Sequence, residues 1–484
     1  MRRIDFSVRH ALYDANATRR IERLAQAALP PHSLMQRAGL ALAQLSMAIA
    51  PHSRHIWVAC GPGNNGGDGL EAAINLSKWG KSVIATWLGA PDTLPADAAA
   101  SHRLALTAGV PFAETPPSDF DFCIDALLGV GASRPPAGLM ADWIDKINAS
   151  LATVLAVDVP TGLHSDSGAA MQQCVRADHT LSLLTLKPGL FTAHGQDHAG
   201  VVWLDDLATT ESGGVDEEVV APAAWLAGAP AQTQRLHASH KGSYGDVAVI
   251  GGALGMTGAA VLGASAALHA GAGRVFVGLL QTGAPTFDNL QPELMFRSLE
   301  SLDFKQMTVV AGCGGGDAIR DAMPRMLATA PRLVIDADAI NAIAEDTQLQ
   351  KLLLHRASRQ LSTVLTPHPL EAARLMGIDA QQVQGDRLRT AGELVQRFGC
   401  TVVLKGSGTI ISAPGQTPVI NPTGNARLAT AGTGDVLAGM IGAGLAAHKS
   451  AFMAACEAVY RHGLQADLWP VDNPLTAGSL SRTG

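Results

Sequence analysis

Short apolar runs alternate with helix-like stretches along most of the chain. Ile21, Leu24 and Ala28 recur at helical spacing, and a second helix-like segment follows Ser33. Apolar runs then occur at residues 55–60, 82–88, 120–127, 153–157 and 180–184, with helical patterns between them. Strands separated by helices are typical of parallel βαβ units, so the first half of the chain is predicted to form a parallel sheet covered by helices.

This alternation breaks between residues 209 and 234, where Gly213-Gly214, an acidic run and two prolines occur. Such a composition is typical of a linker. The alternation resumes with apolar runs at residues 246–250, 274–277, 308–312, 332–336, 363–366 and 401–405. Because 484 residues also exceed what one hydrophobic core usually supports, we predict two α/β domains, residues 1–214 and 215–484.

Composition and charge limit the kinds of molecule that the protein is expected to bind. The chain is 47% hydrophobic and 16% charged, which indicates a compact globular protein, and its net charge of -7 gives no basic field to hold nucleic acid or an acidic membrane. The six cysteines lack C-x-x-C spacing, which argues against a zinc site and a disulfide framework. No apolar run has the length of a membrane span. We therefore expect a cytoplasmic protein with a small-molecule partner, without nucleic-acid or membrane partners.

The first candidate site is the string Gly61-Pro-Gly-Asn-Asn-Gly-Gly-Asp-Gly69, directly after a predicted strand. Its glycines satisfy G-x-G-x-x-G, but no acid follows the second strand until Asp92, so a dinucleotide-binding turn is weakly supported. A purely structural strand-to-helix turn is the alternative. Asn64, Asn65 and Asp68 are more specific, because Asn tolerates left-handed turns and offers both donors and acceptors.

Two further acids end predicted strands of this half. Asp125 begins Asp-Ala-Leu-Leu-Gly, and Asp158 begins Asp-Val-Pro-Thr-Gly. In open α/β sheets, ligands bind outside the carboxyl ends of the strands. We therefore expect the three loops to converge on one site.

Four motifs of this half resemble, in order, the epimerase domain of the bifunctional NAD(P)H-hydrate repair enzymes: Leu34-Met-Gln-Arg-Ala-Gly39, Asn64-Asn-Gly-Gly-Asp68, Asp125-Ala-Leu-Leu-Gly129 and Val157-Asp-Val-Pro-Thr-Gly162. The resemblance implies a potassium ion held by Asn65, Asp125 and Thr161, where the family often has Ser in place of this Thr. We hypothesise that Asp158 takes part in proton transfer. The substrate contacts implied are Asn64, Asn65, Gly66, Gly67, Asp68, Gly129, Val130, Gly131, Ala132, Ser133, Arg134, Pro135 and Asp158.

Polar, glycine-bearing loops also follow the predicted strands of the second half. No G-x-x-x-x-G-K-[ST] string occurs, so a P-loop is excluded at the level of motif. In Gly432-Thr-Gly-Asp435, amides at a helix start can stabilise phosphoryl charge while Asp435 takes a proton from an attacking hydroxyl. This arrangement is typical of ribokinase-like proteins.

Several of these residues have structural alternatives. Asp435 can be a helix cap, since Asp is favoured there. His368, between two prolines, can pack in a rigid loop and serve hydrogen bonds only. Lys187 and Lys241 fit phosphate contacts or exposed surface lysines equally well.

The second half, from Val219 onwards, resembles the ADP- or ATP-dependent NAD(P)H-hydrate dehydratase domain, which has a ribokinase-like fold. The motifs that carry this are His240-Lys-Gly-Ser-Tyr-Gly245, Thr366-Pro-His-Pro369, Lys405-Gly-Ser-Gly-Thr409 and Gly432-Thr-Gly-Asp435. The family has Gly where Leu370 follows the second motif. The resemblance implies substrate contacts at Ala259, Gly314, His368 and Asp435, and adenine-nucleotide contacts at Lys405, Gly406, Ser407, Gly408, Thr409 and Gly434.

The expected fold is therefore an N-terminal Rossmann-like three-layer α/β/α domain followed by a C-terminal ribokinase-like α/β domain. The expected activity is epimerisation of (6R)- and (6S)-NADHX and NADPHX and dehydration of the S form, with K⁺ in the first domain and Mg²⁺ with ADP or ATP in the second. Asp435 is the expected general base. Fold analogy suggests a homo-oligomer. The alternatives are a ribokinase-like vitamin-precursor kinase and a noncatalytic N-terminal binding module.

Overall fold

A computed structural model describes residues 1–90, 94–132, 134–209, 220–231, 237–281, 283 and 286–483. The chain divides into two compact units: Met1–Asp5 with His10–Leu226, and Phe6–Arg9 with Ala227–Gly484. We call these the N-terminal unit and the C-terminal unit. The domain boundary predicted between residues 214 and 215 lies outside the described residues.

The N-terminal unit has a mainly parallel sheet with helices in the connections. Its strands are β1 (Arg2–Arg3), β2 (His10–Leu12), β3 (His55–Cys60), β4 (Ser82–Trp87), β5 (Phe112–Ala113), β6 (Phe122–Ala126), β7 (Thr153–Val157), β8 (His179–Leu183), β9 (Val201–Asp205) and β10 (Ala224–Leu226). Its helices are α1 (Ala15–Ala27), α2 (Ser33–Ile49), α3 (Asn64–Lys78), α4 (Ala96–Thr107), α5 (Leu139–Ala149) and α6 (Gly195–His198). The sheet order is β1-β9-β8-β7-β6-β3-β4-β5, antiparallel only between β1 and β9, and β2 pairs with β10.

Both faces of this sheet are buried under helices. Along β3, Val58 packs into a cluster with Leu42 of α2 and Leu70 of α3. Its neighbour Trp57 packs into a separate cluster with Trp143 of α5. Because successive side chains of a strand point to opposite faces, these two clusters lie on either side of the sheet. The predicted three-layer α/β/α arrangement is confirmed.

The C-terminal unit repeats the same principle. Its strands are β11 (Asp246–Gly251), β12 (Arg274–Leu279), β13 (Met295–Phe296), β14 (Thr308–Ala311), β15 (Arg332–Ile335), β16 (Ser362–Leu365), β17 (Thr401–Leu404), β18 (Ile410–Ser412) and β19 (Val419–Ile420). Its helices are α7 (Thr257–His269), α8 (Ile319–Thr329), α9 (Ala337–Glu345), α10 (Thr347–Ser358), α11 (Pro369–Met376), α12 (Ala380–Gly385), α13 (Arg387–Phe398), α14 (Thr433–Ala446), α15 (Ala451–Asp467) and α16 (Ala477–Leu480).

These strands lie in the order β13-β12-β11-β14-β15-β16-β17-β18-β19. Pairing is parallel as far as β17 and antiparallel from β17 to β19. The apolar runs that predicted strands all form strands, with ends shifted by at most a few residues. The strands that were not predicted are β1, β2, β5, β9, β10, β13, β18 and β19. Within the described ranges, no helix combines the length and the apolar character that a membrane crossing needs.

Candidate active sites

A cavity of about 420 Å³ opens in the N-terminal unit where β3, β6 and β7 end. These three strands are parallel neighbours in the sheet, so their following loops meet, as the sequence predicts. Cavities of this size commonly hold small molecules or cofactors. Of the predicted site residues, those that line it are Asn64, Asn65, Asp68, Gly129, Val130, Gly131, Ala132 and Asp158.

The other predicted contacts of this site lie elsewhere. Gly66 and Gly67 are buried in the first turn of α3 and serve close packing: a Cβ on Gly66 would lie 2.1 Å from the carbonyl oxygen of Gly61. Arg134 and Pro135 are exposed and do not line the cavity. Ser133 lies outside the described residues.

The start of α3 presents backbone donors to the cavity. Gly63 is the N-cap, and no side chain caps this helix end. Asn64 and Asn65, the first two residues of α3, line the cavity, and amides at a helix start have no partner within the helix. Such a helix start attracts anions.

Asp125 and Thr161 form a buried pair beside the cavity. Asp125 is fully buried; its Oδ1 accepts from the Thr161 hydroxyl at 2.7 Å and its Oδ2 from the Thr161 amide at 2.8 Å. Burial raises the pKa of Asp125 to about 6, and the hydrogen bonds from Thr161 and Leu127 oppose this rise. The Thr161 hydroxyl in turn accepts from the Leu128 amide at 2.9 Å, which ties the pair to the loop after β6.

Asn65 lies against the same loop. A Cβ on Gly129 would be 2.7 Å from Asn65 Oδ1, so only glycine admits the amide here. Asn65 Nδ2 is buried and has no hydrogen-bond partner among the described residues. Rotation of this buried amide would present its oxygen at the same position. Asn65, Asp125 and Thr161 each offer an oxygen of the kind that a hard cation such as K⁺ prefers.

Asp158 follows β7 in a left-handed backbone conformation, with φ of 67°. This conformation is uncommon for a residue with a side chain, and such strain clusters at functional sites. Its Oδ1 pairs with Lys187 Nζ and accepts from the Leu183 amide at 3.0 Å. Lys187 is fully buried, so it is neither a surface lysine nor an exposed phosphate contact.

Three other carboxylates share the cavity with Asp158: Glu22 of α1, Asp68 of α3 and Asp97 of α4. Burial, with added repulsion from Asp158, Glu22 and Asp97, raises the pKa of Asp68 well above its usual range. Burial, Asp158 and Asp97 also raise the pKa of Glu22, against the attraction of Lys187 and Arg19. The cavity therefore combines several carboxylates, two of which are made weaker acids by burial and mutual repulsion.

A second cluster of titratable groups lies in the C-terminal unit at the ends of β14 to β17. Asp336, directly after β15, is buried; its Oδ1 accepts from Lys405 Nζ at 2.6 Å and from the Thr366 hydroxyl at 2.6 Å. Lys405, directly after β17, also lies 4.0 Å from Glu371 Oε2. Burial raises the pKa of Glu371 to about 7, and Lys405 opposes this rise.

Asp435 completes this cluster from the first turn of α14, whose N-cap is Gly432. One ligand atom from each of Cys313, Asp336 and Asp435 lies within 4.8 Å of the others. Burial and then Asp336 raise the pKa of Asp435 to about 7, while a hydrogen bond from the Cys313 thiol and the charge of Lys405 lower it. Asp435 is therefore close to half-ionised at neutral pH, the range that suits a general base. The N-cap of α14 is Gly432, and Asp435 makes no capping hydrogen bond there. The alternative role of Asp435 as a helix cap is therefore not supported.

Gly434 lies close to the charged groups of Lys405 and Asp336. A Cβ on this residue would be 3.3 Å from Lys405 Nζ and 3.9 Å from Asp336 Oδ2. The absence of a side chain here leaves the start of α14 open beside the ammonium group. Gly434, Lys405 and Asp435 are thus brought together.

His368 caps α11 through its side chain. Its Nδ1 accepts from the amides of Leu370 and Glu371 at 3.1 and 3.3 Å, and Glu371 Oε2 accepts from the His368 amide at 2.7 Å. Burial, then Lys405, lowers the pKa of His368, so the ring is neutral with Nδ1 as acceptor. The side chain keeps 45% of its exposure. Leu370, the departure from the family pattern, is an exposed residue of α11 that leaves this cap intact.

The remaining predicted contacts occupy loops of the same unit. Ala259 of α7 packs against Gly314, where a Cβ would lie 2.8 Å from that of Ala259. Gly406, with φ of 131°, lies beside the buried Arg387 guanidinium, and its carbonyl accepts from the Thr409 hydroxyl at 2.9 Å. Ser407 and Gly408 lie in the same turn between β17 and β18. Lys241 is exposed.

Sequence reasoning missed several residues of both sites. Asp336 carries the same signal as Asp125 and Asp158, an acid directly after a strand, but the predicted strand ran through it. Glu371 has the spacing of a capping box with His368. Cys313, Thr366, Glu22 and Asp97 have no local signal that separates them from other buried or surface residues.

Comparisons with known proteins agree with this division. Residues 31–189 match the family described as YjeF-related protein N-terminus, and residues 247–483 match the family described as NAD(P)H-hydrate dehydratase. The chain is 35% identical to the bifunctional NAD(P)H-hydrate repair enzyme Nnr of Escherichia coli (strain K12), over 97% of this chain and 91% of that protein. It is 35% identical to the protein of the same name from Coxiella burnetii, over 94% of each.

Among solved structures, an ADP/ATP-dependent NAD(P)H-hydrate dehydratase from Bacillus subtilis, co-crystallised with ATP/Mg²⁺, is similar with 28% identity and a TM-score of 0.43. The similarity covers 52% of this chain and 91% of that one. The curated relatives, in contrast, match along nearly the whole chain, through both units. By that similarity the chain belongs to the family of bifunctional NAD(P)H-hydrate repair enzymes.

Proposed function

We propose that this protein repairs hydrated NADH and NADPH in two steps. The N-terminal unit interconverts the (6R) and (6S) hydrates, and the C-terminal unit dehydrates the (6S) form at the expense of ADP or ATP. One observation carries the proposal. The chain is similar to repair enzymes along nearly its whole length, and it has two separate sites at strand ends, each with a buried or half-buried carboxylate.

In the N-terminal unit, Asp158 is the proposed proton acceptor. The hydrate bears its hydroxyl on the ring carbon bonded to nitrogen. Asp158 takes the hydroxyl proton, the oxygen forms a carbonyl as the carbon–nitrogen bond breaks, and the nitrogen, which now holds the electron pair of that bond, accepts the proton from Asp158. Closure on the other face of the carbonyl reverses these bond changes and gives the other epimer. A positioned base of this kind contributes about 10²–10⁴-fold.

The other proposed contacts of this unit surround Asp158. Asn64, Asn65 and Asp68, at the start of α3, and Gly129 to Ala132 line the same cavity. The amides at the start of α3 suit the phosphates of a dinucleotide. Asn65, Asp125 and Thr161 would hold K⁺, which when bound would add positive charge near the substrate. Gly66, Gly67, Ser133, Arg134 and Pro135 remain proposals from the resemblance alone.

In the C-terminal unit, Asp435 is the proposed general base. It takes the proton of the substrate hydroxyl as the oxygen attacks the terminal phosphoryl group of the nucleotide, and the amides of residues 432–434 stabilise the transferring charge. Phosphate then leaves with the carbon–oxygen electron pair, and loss of a neighbouring ring proton restores the dihydronicotinamide. Phosphate is a far better leaving group than hydroxide, which explains why the reaction consumes a nucleotide.

The proposed ligand contacts of this unit come from three loops, from α7 and from α14. Ala259, Gly314 and His368 would face the hydrated dinucleotide, and Lys405 to Thr409 with Gly434 the adenine nucleotide. Asp336 and Asp435 supply carboxylate oxygens within 4.8 Å, which fits Mg²⁺ bound to nucleotide phosphates through one or two carboxylates. Mg²⁺ when bound would neutralise charge on those phosphates.

We also propose a cytoplasmic homo-oligomer without nucleic-acid or membrane partners. The net charge of -7 supports the last two points. Sedimentation of the purified chain would test the oligomer.

The two activities are tested separately. Chromatography follows the interconversion of purified (6R) and (6S) NADHX without nucleotide, and absorbance follows NADH formation from the (6S) form with Mg²⁺ and ADP or ATP. Asp158→Asn is expected to stop only the first reaction and Asp435→Asn only the second. Undiminished epimerisation in folded Asp158→Asn, or undiminished dehydration in folded Asp435→Asn, would remove that residue from its role. Phosphorylation of a vitamin precursor without dehydration would favour a vitamin kinase instead.

A further inference from the structure

Lys187 places a charge in the interior of the N-terminal unit beside the candidate epimerase site. Its side chain has no exposed surface, and its Nζ donates to the carbonyl oxygens of Leu183 at 2.8 Å and Thr185 at 2.9 Å as well as to Asp158 Oδ1. A buried ammonium is stable only when its donors are satisfied and its charge is paired. All three donors of Lys187 have acceptors, so the loop after β8 encloses an ammonium ion.

This ammonium holds one carboxylate oxygen of Asp158, and the other oxygen stays available for a ligand. Oδ1 receives Lys187 and the Leu183 amide, whereas Oδ2 accepts no hydrogen bond from a described residue. Asp158 lines the cavity, but Lys187 does not. The left-handed backbone at Asp158 and the bond of its amide to the Leu181 carbonyl, at 2.8 Å, fix the rest of the residue. Oδ2 is therefore the atom of this carboxylate that remains for a ligand.

The charges around Asp158 make such a partner necessary. Glu22, Asp68 and Asp97 face the same cavity from three helices, and Arg19 of α1 is the cation that lines it with them. Like charges at short range favour protonation of the carboxylates. Of the described residues, Lys187 is the cation that forms an ion pair with Asp158, the acid to which the proposed epimerisation assigns the substrate proton.

We propose that Lys187 is a positioning residue for epimerisation: its buried ammonium pairs with Oδ1 of Asp158 among the neighbouring acids and holds that atom in place, so that Oδ2 receives the substrate proton. The inference rests on the proposed epimerase function. It assigns no substrate contact to Lys187, because the cavity does not reach its side chain.

The test is the pH dependence of epimerase kcat/KM in Lys187→Met and Lys187→Arg. In Lys187→Met, Asp158 loses the cation that contacts it. The acid limb of the profile should therefore move to higher pH, with a fall in kcat and little change in KM. Lys187→Arg keeps the positive charge, so the acid limb of its profile should lie close to that of the wild-type protein. Lys78→Met, at the exposed end of α3, is the matched control and should leave the profile unchanged.

A second measurement covers the case in which Lys187→Met does not fold. Asp158→Asn/Lys187→Met replaces both charges by neutral groups and leaves no unpaired charge. If Lys187 acts through Asp158, the double variant should epimerise no more slowly than Asp158→Asn. A residual rate of the double variant clearly below that of Asp158→Asn would show a role of Lys187 that does not act through Asp158 and would overturn the inference.

The outcomes separate the inference from the function on which it rests. An unmoved acid limb in folded Lys187→Met, or equal losses at every pH, would overturn the role of Lys187 while wild-type epimerisation stands. No epimerisation by the wild-type protein would overturn the proposed function and this inference together.

Discussion

The Cys313 thiol lies within 4.8 Å of the carboxylate of Asp435. Cys313 is fully buried behind β14, and Asp435 begins α14, so the pair links two loops of the C-terminal site. Donation of a hydrogen bond to a carboxylate favours its ionised form. The thiol therefore opposes burial and Asp336, which together raise the pKa of Asp435 to about 7.

Replacement of this thiol should shift the pH dependence of dehydration. In Cys313→Ala, the lost donor raises the pKa of Asp435 further, so a larger fraction of the base is protonated at pH 6. We expect kcat/KM at pH 6 to fall about 3–10-fold, corresponding to roughly 0.5–1 pH unit, and to approach the wild-type value at pH 9. Cys400→Ala, at another buried cysteine of this unit, is the control. An equal loss at both pH values would contradict the role of the thiol.

The Lys405–Asp336 pair should be required for stability. Asp336 has 2% side-chain exposure, so Lys405→Met leaves a buried carboxylate without its cation. Breaking one side of a buried pair costs about 3–5 kcal/mol. Denaturant unfolding should show this loss, and a second change, Asp336→Asn, should recover part of it.

Lys305→Met provides the comparison, because Lys305 is an exposed lysine of the same unit. It should unfold like the wild type. A double variant less stable than Lys405→Met alone would show that Asp336 is stabilised by something other than Lys405.

Asp435→Asn should stabilise the C-terminal unit at alkaline pH. The folded pKa of Asp435, about 7, lies above its ordinary value of 3.8, so the folded state binds the proton more tightly and loses stability as pH rises through this window. The neutral amide avoids that loss. We expect the free energy of unfolding to rise by about 1–3 kcal/mol at pH 8 and by less at pH 5. Hydrogen exchange of the amides of β14 and α14 measures this free energy. The same difference at both pH values would mean that ionisation is not its cause.

Gly129→Ala should weaken the proposed potassium site. The added Cβ would lie 2.7 Å from Asn65 Oδ1, so the Asn65 amide must move from its present position. We expect the K⁺ concentration for half-maximal epimerisation to rise about tenfold or more, since displacement of one ligand costs roughly 1.4 kcal/mol or more. Dehydration should be unchanged.

Gly63→Ala is the matched control for this change. Gly63 has φ of -110° and no atom within 4 Å of an added Cβ, so alanine fits there without movement. An unchanged K⁺ response in folded Gly129→Ala would remove Asn65 from the ion site.

The sequence predicted the strands well, because buried parallel strands read as short apolar runs. From strand ends it also located Asp125 and Asp158, since parallel neighbours bring their carboxyl ends together. It gave no basis for the pairing of Lys187 with Asp158, 29 residues earlier, because nothing local distinguishes a buried ammonium from a surface lysine. Likewise, the assignment of Phe6–Arg9 to the C-terminal unit depends on tertiary packing alone.

The same limit explains the C-terminal site. Glycine spacing and the acid in Gly432-Thr-Gly-Asp435 pointed to a helix start with a base, and α14 begins there. The pKa of that base depends on Asp336 and Cys313, which come from two other strand ends. Local sequence patterns carry no information about such contacts.

The most direct test of the central claim is NADH recovery, measured by absorbance, from a mixture of (6R) and (6S) NADHX with Mg²⁺, K⁺ and ADP or ATP. The wild-type protein is expected to recover all of the mixture, Asp158→Asn initially only the (6S) share, and Asp435→Asn none. No nucleotide-dependent recovery by the wild-type protein with either nucleotide would contradict the proposed repair function.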